Sequence, residues 1–166
     1  GVGVDNIDLE SAAAHNVKVF ITSDKPSVAV AELCVSNMIT LLRHTFAMSS
    51  QLKRGIWQPV QGRELRSSTV GIIGMGSIGK QVVKRVSSFG SKIIGYARTW
   101  DEDFGIRFNV KRKDIKEVFE EANVITIHLP LTRETNMLIS KNLIDSVQPG
   151  TVILNTSRAS VMDNQA

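Results

Sequence analysis

One cysteine, one tyrosine, two tryptophans and four prolines are all that the 166 residues contain of these types. The cysteine, Cys34, lies inside an apolar helical pattern. A disulfide framework and a cysteine-rich metal site are therefore excluded, and the usage fits a reducing, cytoplasmic compartment. Ligand spacing of the kind that builds a metal centre does not occur either. Nor is there a long hydrophobic run. The most apolar long segment, Val28 to Leu42, carries Glu32, Ser36 and Asn37 and is too short to cross a bilayer, so no membrane partner is expected. No signal-peptide pattern, low-complexity tract, internal repeat or Ser/Pro-rich linker is visible, and nothing in the composition points to disorder.

What remains is an ordinary globular composition, 42% hydrophobic and 22% charged, in a chain long enough for one domain with a sizeable core. The net charge of +4 suits anionic ligands. Lys and Arg are nevertheless scattered, the longest block being Lys111-Arg112-Lys113, with no interleaved aromatics, so no nucleic-acid partner is expected. The sequence opens on GVGVDNID without a methionine and stops at MDNQA, where Asp163 reads as a helix N-cap followed by less than a turn. It reads as a piece of a longer protein.

From Ser27 to Leu52, Val28, Ala31, Val35, Met38, Ile39, Leu42 and Phe46 recur at helical intervals, and Pro26 and Ser27 suit a first turn. Gly55, Pro59 and Gly62 then interrupt the pattern as a loop. After Thr69 strands and helices alternate. TVGIIG, KIIGYA, NVITIHL and GTVILNTS read as strands, with IRFNV (106–110) as a short further one. Helices are expected over SIGKQVVKRVSSFG, over KDIKEVFEEA with Asp114 and Glu117 as a capping box, and over SKNLIDSV from Ser140. The strands are apolar almost throughout, which argues a parallel sheet covered on both faces. The fold expected is α/β, a Rossmann-type doubly wound parallel sheet, incomplete at its C-terminus.

GMGSIG, residues 74–79, matches G-x-G-x-x-G between a strand and a helix. Gly74 permits a tight turn, Gly76 lets a pyrophosphate approach the backbone, and Gly79 lets helix and strand pack closely. The N–H groups of Ser77 and Ile78 would face the phosphates at the positive end of the helix. A P-loop fits less well, because no Ser or Thr follows Lys80, and so does a methyltransferase, which would want an acid after the next strand.

GVGVDNIDL, VAELCVSNMITLLR, GIIGMGSIG, VITIHLPLTRET and PGTVILNTSRAS follow one another in an order and spacing that resembles the D-isomer-specific 2-hydroxyacid dehydrogenases, across essentially the whole chain. The resemblance implies an NAD(P)-dependent oxidoreductase passing hydride between nicotinamide and a small 2-oxo or 2-hydroxy acid. It implies that residues 1–26 belong to the edge of a substrate domain and its connection, and 27–166 to the nucleotide-binding domain. It places Val2 and Gly3 at the substrate carboxylate, and His128, Pro130 and Thr156 beside the cofactor. Arg158 becomes the catalytic and substrate-binding arginine, a fixed positive fork suited to a carboxylate and a developing oxyanion. Ala159 and Ser160 depart from the two glycines usual after it. The helix starting near Ser27 would join a homodimer. The acid/base histidine and its acidic partner would lie beyond residue 166, leaving His15 and His44 as structural residues and the isolated chain able to bind cofactor at best. A nucleotide-sensing co-repressor on the same fold is the alternative.

The second strand ends in Ala97, where NAD-preferring members carry an acid that binds the ribose hydroxyls. Alanine leaves room for a 2′-phosphate, and Arg98 and Thr99 could bind it, so NADP is expected over NAD. In the competing arrangement Arg98 stacks on adenine or points to solvent, and Asp101 or Glu102 reaches back to the ribose.

Overall fold

The structure is a computed structural model that describes residues 3–4, 6–22, 26–163 and 165. Helix α1 (Leu9–Ala14) begins at Asp8, whose carboxylate accepts the Ser11 N–H, and it buries none of its side chains. Helix α2 (Ser27–Leu42) follows, with Ala31, Cys34, Val35, Met38 and Leu42 buried. Helix α3 (Thr45–Lys53) is separate from α2, contrary to the single helix that the apolar spacing suggests. The break lies at Arg43 and His44, where His44 is left-handed at φ 53°. Its cause is tertiary: the Leu42 carbonyl accepts the Arg63 N–H at 2.9 Å, and Gly62 passes so close that a Cβ there would lie 2.6 Å from that oxygen. Phe46, expected on the buried face, is 79% exposed.

Strand β1 (Thr69–Ile73) leads through the glycine turn into α4 (Ser77–Val86), which ends in a 3-10 turn and a left-handed Gly90. Next come β2 (Lys92–Tyr96) and α5 (Glu102–Arg107). β3 (Val110–Arg112) lies later than expected, because Ile106 and Arg107 finish α5. Asp101 caps that helix at the Phe104 N–H, and the Phe104 and Phe108 rings stack at 4.6 Å, one helical turn apart. These local interactions outweigh the strand preference of the IRFNV run. Helix α6 (Ile115–Glu121) carries the expected capping box of Asp114 and Glu117, and β4 (Val124–Ile127) follows. Ser140 occupies the N-cap of α7 (Lys141–Asp145), although its hydroxyl makes no cap hydrogen bond; β5 (Val152–Asn155) completes the sheet.

All five strands are parallel, in the order β3-β2-β1-β4-β5. Alternation along each strand sends Val70, Ile72, Ile93, Val124 and Leu154 to a core shared with α2 and α4. Ile73, Ile94, Ile125 and Ile127 join Val118 and Phe119 of α6 on the other face. With both faces covered, the sheet is the doubly wound Rossmann-type arrangement that the sequence suggests. The chain reverses its direction of growth between β1 and β4. That gap is the topological switch point, where α/β sheets open a crevice at the carboxyl ends of the strands.

Candidate functional site at the carboxyl edge of the sheet

Register fixes which residues meet at the crevice. Ile73 pairs with Tyr96 and with Ile127, and Ile127 pairs with Asn155. Gly74, Ala97, His128 and Thr156 are therefore the next residues out, side by side on one edge. Gly74 is left-handed at φ 98°, and a Cβ there would lie 2.7 Å from the His128 carbonyl oxygen. At Gly79 a Cβ would fall 2.0 Å from the Gly74 carbonyl oxygen, so α4 starts hard against the turn. Gly76 differs. It is exposed, and a Cβ there would meet nothing within 4 Å. The first capping bond of α4 runs from Lys80 N–H to the Gly76 carbonyl, which leaves the N–H groups of Ser77 and Ile78 ahead of the helical ladder. Open space above Gly76, bounded by forward-facing N–H groups, fits a pyrophosphate.

His128 sits deeper. Its Nε2 is 3.0 Å from the Thr126 hydroxyl, and its Nδ1 is 3.3 Å from the Thr156 hydroxyl, which in turn lies 3.4 Å from Cys34 Sγ. Thr126 and Cys34 are fully buried. Hydrogen-bond accounting selects a direction for this chain. If Thr126 donates to Nε2, then Nδ1–H donates to Thr156 and Thr156 donates to sulfur, leaving only a weak thiol hydrogen unpaired. The reverse direction strands a hydroxyl hydrogen in the core, at about 1–3 kcal/mol. His128 is thus a neutral Nδ1–H imidazole with both nitrogens engaged, and burial lowers its pKa to about 4. A ring so occupied is a poor proton shuttle, and His15 and His44 are exposed residues outside the strand edge.

Arg158 is exposed at the end of β5. The Asn155 side chain shapes its loop: Oδ1 accepts the Ser157 N–H and hydroxyl at 2.9 and 2.7 Å, and Nδ2 donates to the Arg158 carbonyl at 2.9 Å. Ala159 and Ser160 form a 3-10 turn with Val161, and neither has a positive φ, so L-residues replace glycines here without backbone strain. Pro130 is exposed, and its carbonyl accepts the Thr135 hydroxyl. Gly3 is exposed as well; Val2 lies outside the described residues.

Arg98 and Thr99 are exposed just past β2. Of the two acids that the competing arrangement turns back toward the ribose, Glu102 is exposed in the first turn of α5, and Asp101 is otherwise engaged: its Oδ1 accepts the Phe104 N–H at 3.0 Å and its Oδ2 is paired with Lys80 of α4. Those contacts, the Lys80 ammonium foremost, hold its pKa below the usual carboxylate value. Across the crevice Glu134 is held low by the Thr132 hydroxyl, its own backbone N–H and the positive charge of Arg98. Sequence reading missed the Lys80–Asp101 pair and the partners of His128. Thr126 was within reach, since the two-residue strand period puts it on one face with His128.

A glycine turn, a helix start and a crevice at the switch point of a parallel sheet define a dinucleotide-binding α/β domain. Residues 35–166 match the profile of the family described as D-isomer specific 2-hydroxyacid dehydrogenase, NAD binding domain. The chain belongs to that family. Hydroxypyruvate reductase of Thermotoga maritima is 36% identical over all of this chain and 54% of its own length. D-3-phosphoglycerate dehydrogenase of Methanocaldococcus jannaschii is 38% identical over all of this chain and 32% of its own. Among solved structures, D-lactate dehydrogenase from Aquifex aeolicus, complexed with NAD and lactic acid, superposes with a TM-score of 0.86 at 29% identity. That match covers 99% of this chain and 50% of the other. The chain thus spans between a third and about half of these proteins. All three carry enzyme names, which does not favour the co-repressor alternative.

Proposed function

We propose that this chain is the cofactor-binding part of an NAD(P)-dependent 2-hydroxyacid dehydrogenase, acting on a small D-2-hydroxy acid or its 2-oxo acid. The observation that carries the reading is the alignment of the open Gly76 turn with His128 and Thr156 along one sheet edge. The nicotinamide, when bound, supplies the hydride acceptor or donor. The protein's own part is positional and electrostatic. Ser77 and Ile78 N–H groups hold the pyrophosphate. Thr156, His128 and Pro130 border the nicotinamide side. Arg158 forks onto the acid and stabilises charge on its C2 oxygen, while Val2 and Gly3 receive the carboxylate. The proton is moved by a histidine with an acidic partner from another segment, because His128 has both ring nitrogens engaged. The chain alone is accordingly inactive.

NADP is the preferred cofactor. Ala97 leaves space at the end of β2, Arg98 supplies charge, and Asp101 is committed to Lys80 and the α5 cap. Residues 1–26 belong to the edge of a substrate domain, consistent with an α1 that buries nothing. Two copies associate through α2, whose Val28, Leu33 and Leu41 are about half exposed beside the exposed Phe46 and Leu52 of α3. The compartment is the cytoplasm, in keeping with a single unpaired thiol. Assaying the full-length protein for NADPH and NADH oxidation with glyoxylate and hydroxypyruvate tests the reading; no turnover with any 2-oxo acid would refute it.

A further inference from the structure

We infer that Lys80 is a specificity-determining residue for the nucleotide, acting through Asp101: it holds that carboxylate away from the ribose edge and cancels its charge, so that a 2′-phosphate is tolerated there. This rests on the cofactor reading above and adds the device behind it. Three observations converge. The first acid after β2 is Asp101, and both its oxygens are taken, one by the Phe104 N–H and the other by the Lys80 ammonium. Lys80 is held where it is needed: it stands in the first turn of α4, directly after Gly79, and its ammonium also lies 5.2 Å above the Phe104 ring. One residue thereby ties the phosphate turn to the cap of α5. Finally, Glu134 on the β4 side already lies within electrostatic reach of Arg98. An uncompensated Asp101, three residues after Arg98, would add a further negative charge at the adenosine end of the crevice.

The physical consequence is a charge count. With the pair intact, Lys80 and Asp101 contribute nothing net to a doubly charged phosphate. Removing only the ammonium exposes the phosphate to one extra negative charge. At surface dielectric and low salt that repulsion amounts to roughly five- to tenfold in affinity, shrinking as salt is added. An NAD ribose, which carries no phosphate, should barely register the change.

The experiment measures NADPH and NADH dissociation constants, by fluorescence titration at low salt, on the full-length protein and its K80M, K80R, D101N and K80M/D101N variants. Asparagine still caps α5, so D101N removes charge while keeping the helix start. The expected results are a fall of about five- to tenfold in the NADPH-over-NADH preference for K80M, and a preference near that of the unmodified protein for K80R. D101N should match or exceed the unmodified protein, and the double variant should recover to within about threefold of it. A K80M ratio that does not move overturns the proposal. So does a double variant as impaired as K80M, because Lys80 would then contact the phosphate itself. A preference of the unmodified protein for NADH refutes the cofactor reading, and that result is read separately from the shift among variants.

Discussion

Acidification should single out His128. In the folded chain its pKa lies at about 4, because partial burial at the end of β4 disfavours the charged ring. In the unfolded chain it returns to the ordinary value of about 6.5. Below pH 6.5 the unfolded state therefore binds a proton that the folded state refuses. Stability is complete above that value and falls as the pH drops toward about 4, after which the contribution is flat. Integrating over the window, the loss is about 2 kcal/mol by pH 5 and about 3 kcal/mol at the bottom. Stopping at pH 5 avoids the lowered carboxylates, Asp101, Glu117, Glu121 and Glu134, which titrate in more acidic solution. The assay is urea unfolding of the chain and its H128Q variant at pH 7.5 and pH 5. The gap between the two proteins should narrow by about 2 kcal/mol between these pH values, roughly a 1 M change in relative urea midpoint. Parallel pH profiles would refute the buried, neutral imidazole.

Gly76→Ala should leave the unfolding midpoint almost unchanged, since a Cβ there touches nothing, yet cut NADPH affinity by filling the space above the turn; a variant that binds normally would place the pyrophosphate elsewhere. Gly79→Ala should instead destabilise the domain by about 1–3 kcal/mol, because the new Cβ lies 2.0 Å from the Gly74 carbonyl oxygen, and calorimetry reads the difference. Phe119→Ala removes a fully buried ring from the α6 face and should cost about 3–5 kcal/mol in denaturant unfolding.

The alternating half of the chain was legible because its signals are local. Strands β1, β2, β4 and β5 are apolar runs, Asp114 and Glu117 stand at capping-box spacing, and the glycine turn falls between a strand and a helix. The misreadings have physical causes. Apolar spacing runs on through Phe46, yet α2 stops at Leu42 because a carbonyl there is claimed by Arg63, a contact that spacing does not encode. IRFNV looks like a strand until Asp101 is seen capping α5. At the site, the glycines and strand ends could be read in order, whereas the partners of His128 could not. Thr156 is 28 residues away from it in sequence, and Cys34 lies 122 residues from Thr156. Only the closed sheet brings them together.

The central claim, that this sheet edge serves hydride exchange with a 2-oxo acid oriented by Arg158, is tested most directly by steady-state reduction on the full-length protein and its Arg158→Gln variant. NADPH and NADH are each followed at saturating glyoxylate or hydroxypyruvate. The account predicts turnover in the unmodified protein and a fall of at least about a hundredfold in kcat/KM in the variant, with the cofactor dissociation constant unchanged. A variant that turns over as fast as its parent would contradict it.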